Sequence, residues 1–173
     1  MRKTVLGVPL LLAVGISGCG YHLSGRGDLI PKTVHTIAVQ PFGNSTARYK
    51  LARLLPADIG REFITRTRYR LVEDSNQADV VLTGTLTNFS AYPIISDNVS
   101  GRATAVQAVV TVQVRLTNRA TGQVLFERPG VEFRERYEIS LDPAAYFDES
   151  GTAMERLSRG AARSVVSAIM NGF

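Results

Sequence analysis

Few residues of this chain are equipped for chemistry. It carries one cysteine, Cys19, and two histidines, His22 and His35. A lone thiol excludes an internal disulfide framework, a CxxC redox pair and a multi-cysteine zinc site. Two histidines are too few for a histidine-based metal cluster, and neither lies near a plausible serine and carboxylate partner set. Glu73 and Asp74 are adjacent and suit a solvent-facing turn after a strand. Glu149 and Glu155 are too far apart on a helix to make a carboxylate dyad. No GxGxxG, P-loop, GxSxG or HExxH pattern occurs. The expectation is a protein that is not an enzyme, with no metal and no cofactor. Its one reactive group is the Cys19 thiol.

The residues before Cys19 indicate what that thiol is for. Arg2 and Lys3 form a short positive stretch, and residues 5–14 are apolar apart from small or turn-forming positions. That run has the length of a signal-peptide core and falls well short of the roughly 20 residues that span a bilayer. Ile16-Ser17-Gly18-Cys19 then resembles the bacterial lipobox, in which a lipid is joined to the cysteine thiol and cleavage leaves that cysteine first. The alternative is an ordinary signal peptide cut at a small-residue site, with Cys19 incidental. On the lipobox reading, residues 1–18 are a lipoprotein signal peptide and Cys19 is the lipidation site. Several acyl chains, at about 0.8 kcal/mol per buried CH₂, would hold the chain on outer-membrane lipid without a spanning helix. Gly20 rather than Asp follows the cysteine. By resemblance to bacterial lipoproteins, this implies the periplasmic face of the outer membrane.

Binding is the remaining kind of function, and charge is the first guide to it. Loss of Arg2 and Lys3 from 20 basic residues leaves 18 against 15 acidic ones, a net charge of +3. Arginine dominates, with Lys32 and Lys50 the only later lysines. Its planar fork suits phosphate, so the composition fits an anionic partner and equally an arginine-rich proteome. No interleaving of aromatic and basic residues points to nucleic acid. Arg61, Arg66, Arg68 and Arg70 gather at a helix end, where they complement its dipole. Residues 96–102 join two long strands, and such a hairpin end projects furthest from a core. Arg102 at that tip, with Arg134 and Arg136 nearby, is a candidate contact for an anionic ligand or a partner wall.

These positions require a scaffold, and the hydrophobic pattern supplies it. The chain's 173 residues fit one domain and are too few for two sizeable cores. Residues 19–33 hold Gly20, Gly25, Gly27 and Pro31 and read as a lipidated tether. A single domain is expected over 34–173. Val34, Ile37, Val39 and Phe42 mark a first strand, ended by Pro41-Phe42-Gly43-Asn44. Residues 48–67 carry Leu51, Leu54, Leu55, Ile59, Phe63 and Ile64 at helical spacing. Pro56 either kinks this helix or lies in the first turn of a shorter one.

A short strand is expected at 69–73 and a longer one at 79–90. Over 104–117, Val106, Ala108, Val110, Val112, Val114 and Leu116 alternate with Gln107, Val109, Thr111, Gln113, Arg115 and Thr117. That period of two gives one buried and one wet face. Segments 124–126 and 131–138 follow. Asp142-Pro143 suits a helix start. Ala153, Met154, Leu157, Ala161, Val165, Ala168 and Ile169 form the apolar stripe of a last helix. The fold class expected is α+β, a two-layer sandwich. Its sheet is mostly antiparallel, four- to five-stranded, and covered on one face by two helices.

The lipobox, the Gly20-Tyr21-His22-Leu23 start and the segment Ile37-Ala38-Val39-Gln40-Pro41-Phe42-Gly43-Asn44-Ser45-Thr46 together resemble the LptE-like lipopolysaccharide-assembly lipoproteins. Tyr69-Arg70-Leu71-Val72 and Ala78-Asp79-Val80-Val81-Leu82-Thr83-Gly84 are similar to the same family's succession of short strand, acidic turn and long strand. The resemblance covers nearly the whole chain after Cys19. It implies a non-enzymatic lipoprotein of the Gram-negative outer membrane that plugs a large LptD-type β-barrel. Such a protein assists the barrel's assembly and the delivery of lipopolysaccharide to the cell surface. On this view Arg102, Arg134 and Arg136 would meet lipopolysaccharide phosphates or the partner. The strand Ile-Ala-Val-x-Pro-Phe-x-Asn is also similar to that of periplasmic activators of cell-wall synthases and of the N-terminal domain of TolB. The alternative is therefore an envelope lipoprotein that binds and activates a periplasmic cell-wall synthase or other envelope machinery.

Overall fold

The computed structural model describes residues 30–140 and 150–172. The expected signal peptide, Cys19, most of the expected tether, His22, the Asp142-Pro143 cap and Glu149 lie outside them. Along the described chain run β1 (Thr36–Val39), β2 (Gly43–Asn44), α1 (Tyr49–Arg66), β3 (Arg70–Leu71), β4 (Val80–Ser96), β5 (Ala103–Asn118), β6 (Val124–Glu138) and α2 (Ser150–Asn171). The sheet runs β3-β1-β4-β5-β6, with β2 also pairing to β4. It is mixed: β1 lies parallel to β3 and β4, β2 lies parallel to β4, and the long strands β4, β5 and β6 are antiparallel. The expected α+β sandwich forms, and the parallel edge is made by short strands flanking α1.

The core sits between the sheet and the two helices. Leu51, Leu55, Ile59 and Phe63 recur every four residues along α1 and are almost fully buried. From α2 come Ala153, Met154, Leu157, Ala161, Ala162, Val165, Val166 and Ile169. Val106, Ala108, Val110, Val112, Val114 and Leu116 supply the sheet's share, all on the face that their alternation assigns. Ile64, counted in the expected stripe, is 59% exposed. One residue beyond Phe63 turns a side chain about 100° away from the core. Ile30, in the stretch read as tether, is buried beside Val34 in the core. Helix α1 is continuous through Pro56, which lines an apolar groove of about 520 Å³ together with Phe42, Tyr49 and Leu71.

Bulges account for strand lengths that the period-two pattern missed. In β4 the register with β5 shifts between Leu86 and Asn88 and again between Pro93 and Ile95, so the residues from Asn88 to Pro93 change face. Phe89 thereby turns inward, and the strand continues to Ser96 instead of stopping at Ser90. In β6 the register shifts across Pro129-Gly130, which joins the two expected segments into one strand. Proline is tolerated there because β6 is an edge.

The helices run side by side in the same direction. Lys50 of α1 pairs with Glu155 of α2 at 3.1 Å, and Arg66 donates to the Arg163 carbonyl at 3.3 Å. Between them Asp58 is buried, accepting from the Ser158 hydroxyl at 2.6 Å and pairing with Arg61 at 2.8 Å. At the sheet's start the Asp79 carboxylate accepts from the backbone N–H groups of His35 at 2.8 Å and Thr36 at 2.9 Å. Those donors hold its carboxyl below the ordinary 3.8. With the folded value below the unfolded one, this stabilisation is complete at neutral pH and is lost as pH falls through the folded value. Asp79→Asn is therefore expected to melt below the wild type at pH 7, with the gap closing as pH drops below about 4. Equal melting temperatures at pH 7 would refute the role.

Candidate interaction surface

Strands β4 and β5, with 17 and 16 residues, make a hairpin about 50 Å tall at roughly 3.3 Å per residue. On its core side Phe89 and Tyr137 line a pocket together with Met154 and Ser150 at the start of α2. The turn at its end is built by Asp97, whose carboxylate accepts from the N–H groups of Val99 and Ser100 and from the Ser100 hydroxyl. Ser100 above all keeps that carboxyl below its usual range. Gly101 takes φ +68°, a conformation that side-chain-bearing residues rarely adopt. The Asp97 N–H then closes the turn on the Arg102 carbonyl at 2.8 Å. Arg102 is thereby presented, exposed, at the tip.

Arg134 and Arg136 lie elsewhere on the same surface. Cross-strand register places Arg134 beside Val109 and Ser90, and Arg136 beside Gln107 and Tyr92, on the sheet face turned away from the helices. Each has a carboxylate: Arg134 pairs with Glu132 at 2.9 Å and Arg136 with Glu138 at 3.5 Å. Gln107 stands five residues along β5 from Arg102, about 17 Å of strand. The three arginines thus share one end of the sheet without converging on a single ligand.

Around them this outer face is polar. It carries Thr83, Thr85, Gln107, Thr111, Gln113 and the Arg115–Glu127 pair at 2.6 Å. The tip itself is apolar, with Tyr92, Ile94, Ile95 and Val99 each at least 41% exposed. Sequence reasoning missed Tyr92, Ile94 and Ile95, whereas Val99 falls within the expected hairpin end. The signal was the run Tyr92-Pro93-Ile94-Ile95, which lies past the point where the expected strand ends. A patch of this kind marks a contact surface more than an active site. Among the described residues no three His, Cys, Asp or Glu side chains gather in a way that could hold a metal ion. No described helix is long and apolar enough to cross a membrane.

Residues 34–169 match the lipopolysaccharide-assembly family LptE. The chain belongs to that family. LptE proteins are non-enzymatic lipoproteins of the Gram-negative envelope that take part in lipopolysaccharide assembly. The solution structure of lipoprotein B from Nitrosomonas europaea is similar, with TM-score 0.54 and 18% identity over 86% of this chain and 91% of that one. A PelC dodecamer from Paraburkholderia phytofirmans carries the same fold, with TM-score 0.51 and 15% identity over 79% and 89% of the two chains. At such identities the likeness concerns the fold. No curated protein matches this LptE-family chain in sequence.

Proposed function

We propose that this LptE-family chain is an outer-membrane lipoprotein, acylated at Cys19, that plugs an LptD-type β-barrel. It assists assembly of that barrel and delivery of lipopolysaccharide to the cell surface. The observation that carries the reading is the shape of the LptE domain: a compact helical back and a tall polar sheet face. The lumen of a large outer-membrane barrel is polar, and such a face can fill it without burying unpaired charge. Residues 19–33 would link the domain to the membrane, and 34–173 would be the plug.

A mild-detergent pull-down of the lipidated protein from its own membranes tests this reading. It should retrieve one large outer-membrane barrel, and depletion of the protein should mislocalise lipopolysaccharide. Retrieval of a periplasmic cell-wall synthase without a barrel would instead establish the activator reading. The hairpin tip gives a sharper prediction. Arg102→Glu should weaken capture of the barrel or its glycolipid about tenfold, as loss of a charge-assisted contact does. Its melting temperature should stay that of the wild type, because an exposed turn side chain contributes little to stability. Undiminished capture would return Arg102 to ordinary surface.

A further inference from the structure

On the helix side of the sheet, away from Arg134 and Arg136, α2 and β6 enclose a concavity of about 560 Å³. It is lined by Glu135, Arg156, Arg159, Gly160, Arg163 and Ser164. The arginines are spaced by three and four residues, which brings them onto one helix face. Arg156 is held in place, its Nε donating to Glu135 at 2.6 Å and its Nη2 to the Arg136 carbonyl at 3.2 Å. Arg159 and Arg163 are exposed, and among the described residues no carboxylate or side-chain hydrogen bond engages their guanidinium groups. At Gly160 a side chain would meet nothing within 4 Å, so the floor between the two forks is open. The pocket therefore gathers three cations around one anion.

Such an arrangement is not demanded by folding. Like charges at these spacings repel, and an exposed helix position accepts almost any good helix former. We propose that this concavity is a binding site for a phosphoryl anion. Arg159 and Arg163 would bind it directly, Arg156 would be steadied beside them by Glu135, and the Ser164 hydroxyl would be a further donor. One carboxylate offers two oxygens and is satisfied by a single fork. A phosphoryl group brings about two negative charges and three terminal oxygens, enough for two. The site does not depend on the barrel reading, because it lies on the opposite side of the sheet from the polar face on which that reading rests.

Calorimetric titration of the full mature lipoprotein in dodecylmaltoside micelles tests the proposal. Two probes distinguish the carrier: inorganic pyrophosphate, and phosphatidic acid mixed into the micelles. Binding of either should fall at least about tenfold in Arg159→Gln/Arg163→Gln, consistent with the loss of two charge-assisted contacts. Arg53→Gln on α1 should bind as the wild type does. An effect on both probes means that the pocket reads the phosphoryl group itself. An effect on phosphatidic acid alone assigns a lipid headgroup, and on pyrophosphate alone a soluble phosphate. Three results would overturn the site: no binding of either probe, equal affinity in the double variant, or tighter binding of a polyglutamate peptide. The last would make the pocket a contact for an acidic protein surface.

Discussion

Replacing Cys19 with alanine is expected to abolish fatty-acid labelling, leave the precursor at its uncleaved size and remove the protein from the outer-membrane fraction. The thiol is the atom to which lipid would be joined, and no other cysteine occurs that could substitute for it. The energetic consequence is all-or-none. A single acyl chain holds a protein only marginally and reversibly, whereas two or more anchor it stably. No described helix could take over by crossing the bilayer. The uncleaved precursor should stay with the inner membrane through its apolar segment at residues 5–14, so cell fractionation distinguishes this outcome from simple loss of the protein. Normal labelling and normal processing of Cys19→Ala would refute the lipobox and, with it, the placement on which the plug reading depends.

How legible the rest was depends on how locally each feature is encoded. The buried face of β5 could be read directly, because an apolar residue recurs at every second position from Val106 to Leu116, with Val109 the one apolar residue on the other parity. The stripe of α2 was readable for the same reason at a different period. What could not be read were the places where one residue changes the parity of those that follow. Thr87 leaves the β4 ladder and reverses the faces from Asn88 to Pro93, so Phe89 packs against the core and the apolar tip escapes a pattern search. Pro129-Gly130 reads as a turn because nothing local says that β6 is an edge, where a missing N–H costs little. Asp58 in α1 and Ser158 in α2 look like surface residues until the two helices, 100 positions apart, are packed together. The concavity on α2 belongs to the same class: its arginines are visible in sequence, but that no carboxylate among the described residues pairs with Arg159 or Arg163 is a property of the packed molecule.

The face assignment at the centre of the sheet leads to a second large effect. Val112 is fully buried and lies between Leu86 of β4 and Val131 of β6, beneath the helices. Val112→Asp would place a carboxylate there with no cation in reach among its strand neighbours. An uncompensated buried charge costs about 3–5 kcal/mol, a large part of the roughly 5–15 kcal/mol by which a domain is stable. The variant should therefore lose cooperative unfolding or melt far below the wild type. Gln113→Asp, one residue along and on the outer face, should change stability by no more than about 0.5 kcal/mol. Acid adds a further test, because burial raises a carboxyl pKa and the neutral acid is cheaper to bury. The deficit of Val112→Asp relative to the wild type should shrink as pH is lowered, since the folded state then binds the proton more readily than the unfolded one. A deficit independent of pH would place the destabilisation in shape instead of charge. Equal effects from Val112→Asp and Gln113→Asp would mean that β5 does not have one dry face and one wet one.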